Sequence, residues 1–352
     1  MATNDHLRIR DLSVGFKTFQ HFEPVLDVWE LHIEHGEAYG LVGESGAGKT
    51  VLALAILGLL RQPPARVTAA ELTLEGEPLL AKSARELREL RGRRISMIFQ
   101  DPMSALDPAF NVGNQLTEVI HQREGLDKSE AGARALELMR LVELPAPEMM
   151  LNKYPHQLSG GQRQRVIIAL ALACGAQLLI ADEPTRNLDV TVQASVLKTI
   201  YKLRQELGVS LLFIANNISL VSTMCDRVGI LSKGRIVETG LVRDVVRTPL
   251  HPYTLDLLHA VPRREERLGD ENQKVFAEVD STISRCGHYA RCDARGPACE
   301  GQDVLPLTFV SATHGVACPQ VTASLAVYPA AASPTEAREE LPTTPAGTGG
   351  GD

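Results

Sequence analysis

Residues 43–50 read Gly-Glu-Ser-Gly-Ala-Gly-Lys-Thr, and the apolar run Ala38–Val42 leads straight into them. An apolar, proline-free stretch, Val51–Leu60, follows them. The order predicts strand, loop, helix. Glycines let a backbone close around an anion, successive N–H groups point inward, and the helix adds the positive end of its dipole. The spacing Gly43-x4-Gly48-Lys49-Thr50 is that of a phosphate-binding loop. Gly43, Glu44, Ser45, Gly46, Ala47 and Gly48 would form the cradle. Lys49 is expected to reach the β- and γ-phosphates of a nucleotide and Thr50 to ligate Mg²⁺.

Further along, Leu178-Leu179-Ile180-Ala181-Asp182-Glu183 reads as a buried strand ending in two carboxylates. Buried carboxylates are costly without a cation. Asp182 is expected to sit near Thr50 and hold Mg²⁺, and Glu183 to face the γ-phosphate and polarise a water as general base. Residues 158–162 read Leu-Ser-Gly-Gly-Gln and open a helix. Ser159 is a good N-cap, while Gly160 and Gly161 bare backbone amides to an anion. One chain already has its phosphate loop, so a second anion-reading helix start makes sense if it serves a nucleotide on another subunit. The expected assembly is a head-to-tail dimer with two shared ATP sites.

Residues 1–40 alternate apolar and polar, as in Leu7-Arg8-Ile9-Arg10 and Leu31-His32-Ile33-Glu34, an antiparallel sheet pattern. Strands are predicted at Ile95–Phe99, Gln177–Ala181 and Ser210–Ala215, helices at Gly161–Ala173 and Val190–Leu207, and a hairpin around Ser232-Lys233-Gly234. Helical periodicity from Val112 to Leu144 marks an insertion at about 101–160. Helices alternating with apolar strands imply a mainly parallel sheet with helices on both faces. From Pro249 the texture turns to short elements, prolines and cysteines.

The chain has 352 residues, enough for one large domain and an appendage. Its net charge of −7 does not favour a general grip on nucleic acid. No apolar run reaches the roughly 18–20 residues that span a bilayer, and the first residues lack the basic and apolar regions of a secretion signal. A cytosolic chain is expected, with any membrane role supplied through a partner.

With these motifs together, the chain resembles the ATP-binding subunits of ABC transporters, with Leu158–Gln162 as the family signature. The likeness covers about residues 6–325. Gln100 after Ile98-Phe99 resembles the Q-loop glutamine, which senses the γ-phosphate, couples to the membrane partner and joins Thr50 and Asp182 around Mg²⁺. Asp189 resembles the D-loop aspartate. Phe99–Pro108 and His251-Pro252-Tyr253-Thr254 look like the oligopeptide/dipeptide importer branch. The resemblance implies an α/β fold: a P-loop NTPase (RecA-like) core with an antiparallel β subdomain, a helical insertion and a small cysteine-rich C-terminal extension. The nucleotide-binding domain would span 1–248, the extension 249–328 and a disordered tail 329–352. It also implies two membrane-embedded permease subunits, a second ABC ATPase subunit and an extracytoplasmic substrate-binding protein, with this chain peripheral on the cytoplasmic face of the plasma membrane. Permease contact is expected just after Gln100, at Met103, Leu106 and Phe110. Phe16 is the candidate for stacking on adenine, with Phe19 and Phe22 as rivals.

Two places depart from the family pattern. Asn216 stands where the family usually has a histidine that contacts the γ-phosphate, and Asn cannot carry a positive charge. The run Thr185-Arg186-Asn187-Leu188-Asp189 departs from the small residues usual just before the D-loop aspartate. An asymmetric pair is the resulting expectation: this chain's own site hydrolyses slowly, and its Ser159–Gln162 completes a faster site on a non-identical partner. A soluble ABC-type ATPase without a permease, or a non-catalytic nucleotide-sensing subunit, are the alternatives.

Cys286, Cys292, Cys299 and Cys318 crowd together near the C-terminus. Four thiolates can hold a [4Fe–4S] cluster or zinc, and unligated or disulfide-bonded cysteines remain open. The family resemblance implies the iron–sulfur cluster. His288 and His314 read as solvated loop residues.

Overall fold

The computed structural model describes residues 4–19, 21–101, 105–260, 286–300 and 306–323. The expected disordered tail 329–352 and Met103 lie outside them. Among the described residues, two sheets organise the fold. The first is antiparallel: β1 (Asp5–Lys17) pairs with β2 (Phe22–Glu34), β4 (Ala65–Thr68) and β5 (Glu71–Leu74), with β6 (Glu77–Pro78) on β5. The second has eight strands. Its centre is parallel, in the order β10 (Arg227–Ser232), β3 (Ala38–Val42), β9 (Ser210–Ala215), β8 (Leu178–Asp182) and β7 (Ile95–Ile98). Beyond β10 it continues antiparallel through β11 (Arg235–Leu241), β13 (Gly315–Val316) and β12 (Thr308–Phe309).

Every residue of β3, β8 and β9 is buried, the continuous apolar texture of strands covered on both faces. Alternation splits their side chains into two cores. Leu179, Ala181, Leu211, Phe213 and Ala215 point to one side, against the helices Gly160–Leu172 and Val190–Leu207. Leu178, Ile180, Leu212 and Ile214 point to the other, against the helix Lys49–Ile56 and the inner face of β1 and β2. Helices therefore cover one face, and on the second the helix Lys49–Ile56 shares the cover with the antiparallel sheet. The expected helices lie on both faces, with that sheet added to the second.

Between β7 and β8 lie the helices Val112–Glu124, Lys128–Leu141 and Pro147–Leu151. The helical pattern is broken after Glu124 because Gly125 takes φ +74° as a C-cap and Asp127 with Glu130 forms a capping box that starts the next helix. Leu106 is buried in the core shared by these helices, so it is not free to dock a partner, whereas Phe110 is exposed. The C-terminal segment is continuous with the main sheet: β13 is hydrogen-bonded along β11, at Glu238 and Thr239. His288 and His314 are buried rather than solvated. His314 Nε2 lies 2.7 Å from Glu238 Oε1, and His288 Nε2 lies 3.2 Å from Asp256.

Candidate active site

The four segments that carry the candidate residues leave the carboxyl ends of adjacent parallel strands β3, β9, β8 and β7. In open α/β sheets that edge is where loops can converge on a ligand. The loop after β3 turns into the helix Lys49–Ile56. Gly46 and Gly48 have φ +83° and +104°, conformations that a side chain would strain. Gly48 is the N-cap and offers no side-chain acceptor. The first-turn N–H groups are thereby left to a ligand.

Lys49 is buried, and its ammonium donates to Gly43 O (2.8 Å), Glu44 O (2.9 Å) and Asn216 Oδ1 (2.5 Å). An ammonium has three hydrogens, and all three are engaged. Burial lowers the Lys49 pKa, against the raising pull of Glu183 and Asp182. Thr50 Oγ1 donates to Asp182 Oδ2 at 2.7 Å, joining residues 132 apart in the chain. Asp182 is 1% exposed, and its Oδ1 has no hydrogen-bond partner among the described residues. Burial raises its pKa, partly offset by the Thr50 hydrogen bond. A buried carboxylate with one orphaned oxygen, beside a hydroxyl, matches the oxygen donors that Mg²⁺ takes.

Glu183 follows with φ +44°, an uncommon conformation for a residue with a side chain, found often at functional sites. Its N–H donates to Ile214 O at 3.0 Å, which fixes it against β9. Gln100 Nε2 and Arg186 Nη1 donate to its Oε2 at 3.3 and 3.2 Å, and Lys49 lies 3.9 Å from its Oε1. The structure therefore brings Lys49, Thr50, Gln100, Asp182, Glu183 and Asn216 together.

Ser159, Gly160, Gly161 and Gln162 stand apart as a helix start. Ser159 Oγ accepts from Gln162 N (3.3 Å) and Gln162 Oε1 accepts from Ser159 N (3.0 Å), a capping box. A Cβ on Gly161 would lie 2.5 Å from Val192 Cγ1, so this glycine also lets the helix Gly160–Leu172 pack on Val190–Leu207. Asp189 caps the latter helix, accepting from Val192 N at 2.9 Å. Phe16 is half-buried and packs against the β1–β2 core, while Phe19 is fully exposed.

Several contacts were not foreseen. Arg186 reads from sequence only as part of the departing run 185–189, and its grip on Glu183 emerges from the turn that follows β8. The Tyr253 hydroxyl accepts from Glu44 N at 2.9 Å, and Arg291 lies 3.2 Å from the Glu44 carboxylate, so the C-terminal segment touches the phosphate loop. Burial raises the thiol pKa values of Cys286, Cys292 and Cys318, and neighbouring cysteines add to the rise. No three of these sulfurs lie within 4.8 Å of one another. Thiolates about 2.3 Å from one tetrahedral zinc would stand about 3.8 Å apart, so the donors are set wider than a single ion requires.

Two family profiles match the chain: ABC transporter over residues 26–186, and oligopeptide/dipeptide transporter, C-terminal region, over residues 237–299. A probable peptide ABC transporter ATP-binding protein of Sinorhizobium fredii is 41% identical over 317 residues, covering 89% of this chain and 94% of that protein. The chain belongs to the ABC transporter ATP-binding family. The second profile sets this ABC chain in the oligopeptide/dipeptide branch. The oligopeptide transport ATP-binding protein OppD of Bacillus subtilis is 43% identical over 259 residues, covering 74% of this chain and 72% of that one. A solved dimeric ATP-binding cassette in a post-hydrolysis state with ADP and phosphate is 27% identical, with TM-score 0.60 over 67% of this ABC chain and 99% of the other. No helix among the described residues is long and apolar enough to cross a membrane.

Proposed function

We propose that this ABC chain is the ATP-binding and hydrolysing subunit that powers an importer of peptides. The observation that carries the reading is the Thr50–Asp182 contact, with the orphaned Asp182 oxygen beside it and Lys49 and Glu183 in reach. The peptide assignment is supported by the names of its relatives and by the extension profile at 237–299. The nucleotide-binding domain is 1–248 and the extension 249–328. Gly43–Thr50 cradle the triphosphate and Phe16 stacks on the base. Thr50, Asp182 and Gln100 would hold Mg²⁺, which would neutralise phosphate charge. Lys49 leaves Asn216 for the phosphates. Glu183, held by Gln100 and Arg186, polarises the attacking water. Ser159–Gln162 and Asp189 face the nucleotide of a second, non-identical ATPase subunit.

ATP-driven closure of the pair moves the insertion against two permease subunits at the cytoplasmic face of the plasma membrane, with Phe110 available to dock and a substrate-binding protein delivering cargo outside. Asn216 makes this chain's own site the slower one. Cys286, Cys292, Cys299 and Cys318 of the extension would hold a [4Fe–4S] cluster, whose role would be structural. Anaerobically purified protein should then contain four iron and four acid-labile sulfide per chain, and stoichiometric zinc instead would overturn that assignment.

Reconstitution with the permease pair and the second ATPase tests the whole reading. ATP-dependent uptake of labelled peptide is expected, together with nucleotide binding to this chain that Lys49→Ala abolishes. Absence of nucleotide binding would sink the proposal. Single-turnover hydrolysis with Glu183→Gln placed here, or its equivalent placed in the partner, tests the asymmetry: the partner's variant should remove most of the activity. The engagement of Lys49 by Asn216 also favours a second reading, a nucleotide sensor without turnover, which predicts no hydrolysis at this site even with the partner intact.

A further inference from the structure

A second cluster lies at the opposite end of β9 from the candidate active site. His6 on β1, His35 after β2 and Glu75 after β5 meet beside Ser210, the first residue of β9. The two imidazoles stack, with centroids 4.3 Å apart and planes 14° from parallel. Each Nε2 lies 3.9 Å from Glu75 Oε1, and one ligand atom from each of the three residues falls within 4.8 Å of the others.

The hydrogen bonds around His6 assign its tautomer. Its Nδ1 lies 2.7 Å from Ser210 Oγ. That hydroxyl donates to Glu34 O at 3.2 Å and accepts from Gly36 N at 2.9 Å. A hydroxyl has one hydrogen to give, so His6 donates from Nδ1 and turns the lone pair of Nε2 toward Glu75. His6 is 1% exposed, and its Nε2 has no hydrogen-bond partner among the described residues. A buried lone pair facing a carboxylate oxygen is unfavourable unless a cation lies between them. Arg94 engages the other oxygen of Glu75 and also pairs with Glu77. Lys82 pairs with Glu77 as well, at 2.6 Å, and Glu75 Oε1 takes neither cation.

We propose that His6 Nε2, His35 Nε2 and Glu75 Oε1 bind a divalent first-row transition metal, with zinc as the reference ion. Two imidazoles and a carboxylate with an open fourth position are a donor set such ions take, at bonds of about 2.0–2.2 Å. Those bonds set ligand atoms about 3.4 Å apart, so each Nε2 must close on Glu75 Oε1 by about half an ångström, and the His35 ring must turn out of its stack on His6 to aim its lone pair at the same ion. His35, at 47% exposure, is able to move and to admit the ion. Ser210 is the outer partner that orients His6. The ion would clamp the antiparallel sheet to the amino end of β9, away from the nucleotide.

The full-length chain, stripped with chelator, tests this against His35→Ala and Glu75→Gln, both at partly exposed positions. Cobalt separates this site from the thiols, because only cysteine-bound cobalt shows sulfur-to-metal charge-transfer bands. Wild type is expected to take up one more equivalent of cobalt than either variant, without added charge-transfer absorption, and zinc should raise the wild-type melting temperature more than that of the variants. Ser210→Ala should weaken this site about 10- to 100-fold. ATP hydrolysis should not change in His35→Ala. Equal metal uptake and equal melting shifts in wild type and both variants would overturn the proposal.

Discussion

Lys49 with its three donors engaged is a lysine stored, not idle. Binding a phosphate must displace at least one acceptor, and the Asn216 side chain is the one that is not backbone. A histidine there could accept a proton or carry charge. Asn216→His is expected to raise hydrolysis at this site, by up to about 10²-fold, measured with the partner's own site silenced; an unchanged rate would show that the amide already suffices. Asp182 gives a second outcome. Its pKa is raised in the folded chain by burial. Between the unfolded carboxyl value of about 3.9 and the folded one, the folded state binds more protons, so this group's contribution to stability is lost as pH rises. Asp182→Asn is expected to raise the melting temperature of the nucleotide-free protein at pH 7, to flatten that pH dependence, and to abolish Mg²⁺-dependent hydrolysis. A lower melting temperature would mean that the carboxylate is not strained as described. Thr50 and Asp182 could be paired from sequence because each belongs to a spaced motif. The hold of Asn216 on Lys49 could not, since nothing in either residue's neighbours announces a partner 167 positions away.

Among the elements, the strands were the most legible. Ser210–Ala215 stands where its apolar run Leu211–Ala215 places it, and Leu178–Asp182 within a residue, because a strand covered on both faces leaves no polar gap inside it to blur the pattern. What covers those faces was less legible, since an apolar side chain packs as well on a strand as on a helix; Leu12, Val14 and Val28 fill space that could equally have held a helix. The capping box at Ser159 was readable only in part, and the contact of Gly161 with Val192 not at all. That contact carries its own test. Gly161→Ala is expected to destabilise the chain by about 1–3 kcal/mol through overpacking, and Val192→Ala should restore most of the loss in the double variant. Additive losses by denaturant unfolding would break the link between the two helices.

Over the whole molecule, the C-terminal segment is less an appendage than its texture suggested. It covers the edge of β11, and its buried histidines meet Glu238 and Asp256. Those pairings were invisible because loop histidines carry no periodicity. Tyr253 ties the segment to Glu44 N, and burial pushes the Tyr253 pKa up to about 12, so the hydroxyl stays protonated. Tyr253→Phe removes one acceptor, worth about 1 kcal/mol, and should weaken nucleotide binding by up to about tenfold, read with a fluorescent ATP analogue. Unaltered affinity would mean that the bond is incidental. Arg291 adds an exposed ion pair to the same residue, and such pairs contribute little. A chimera that traded this tail for a relative's would inherit more than foreign thiols. It would also import that relative's grip on the glycine turn, so two hybrids with identical cassettes could differ in how tightly they hold their fuel.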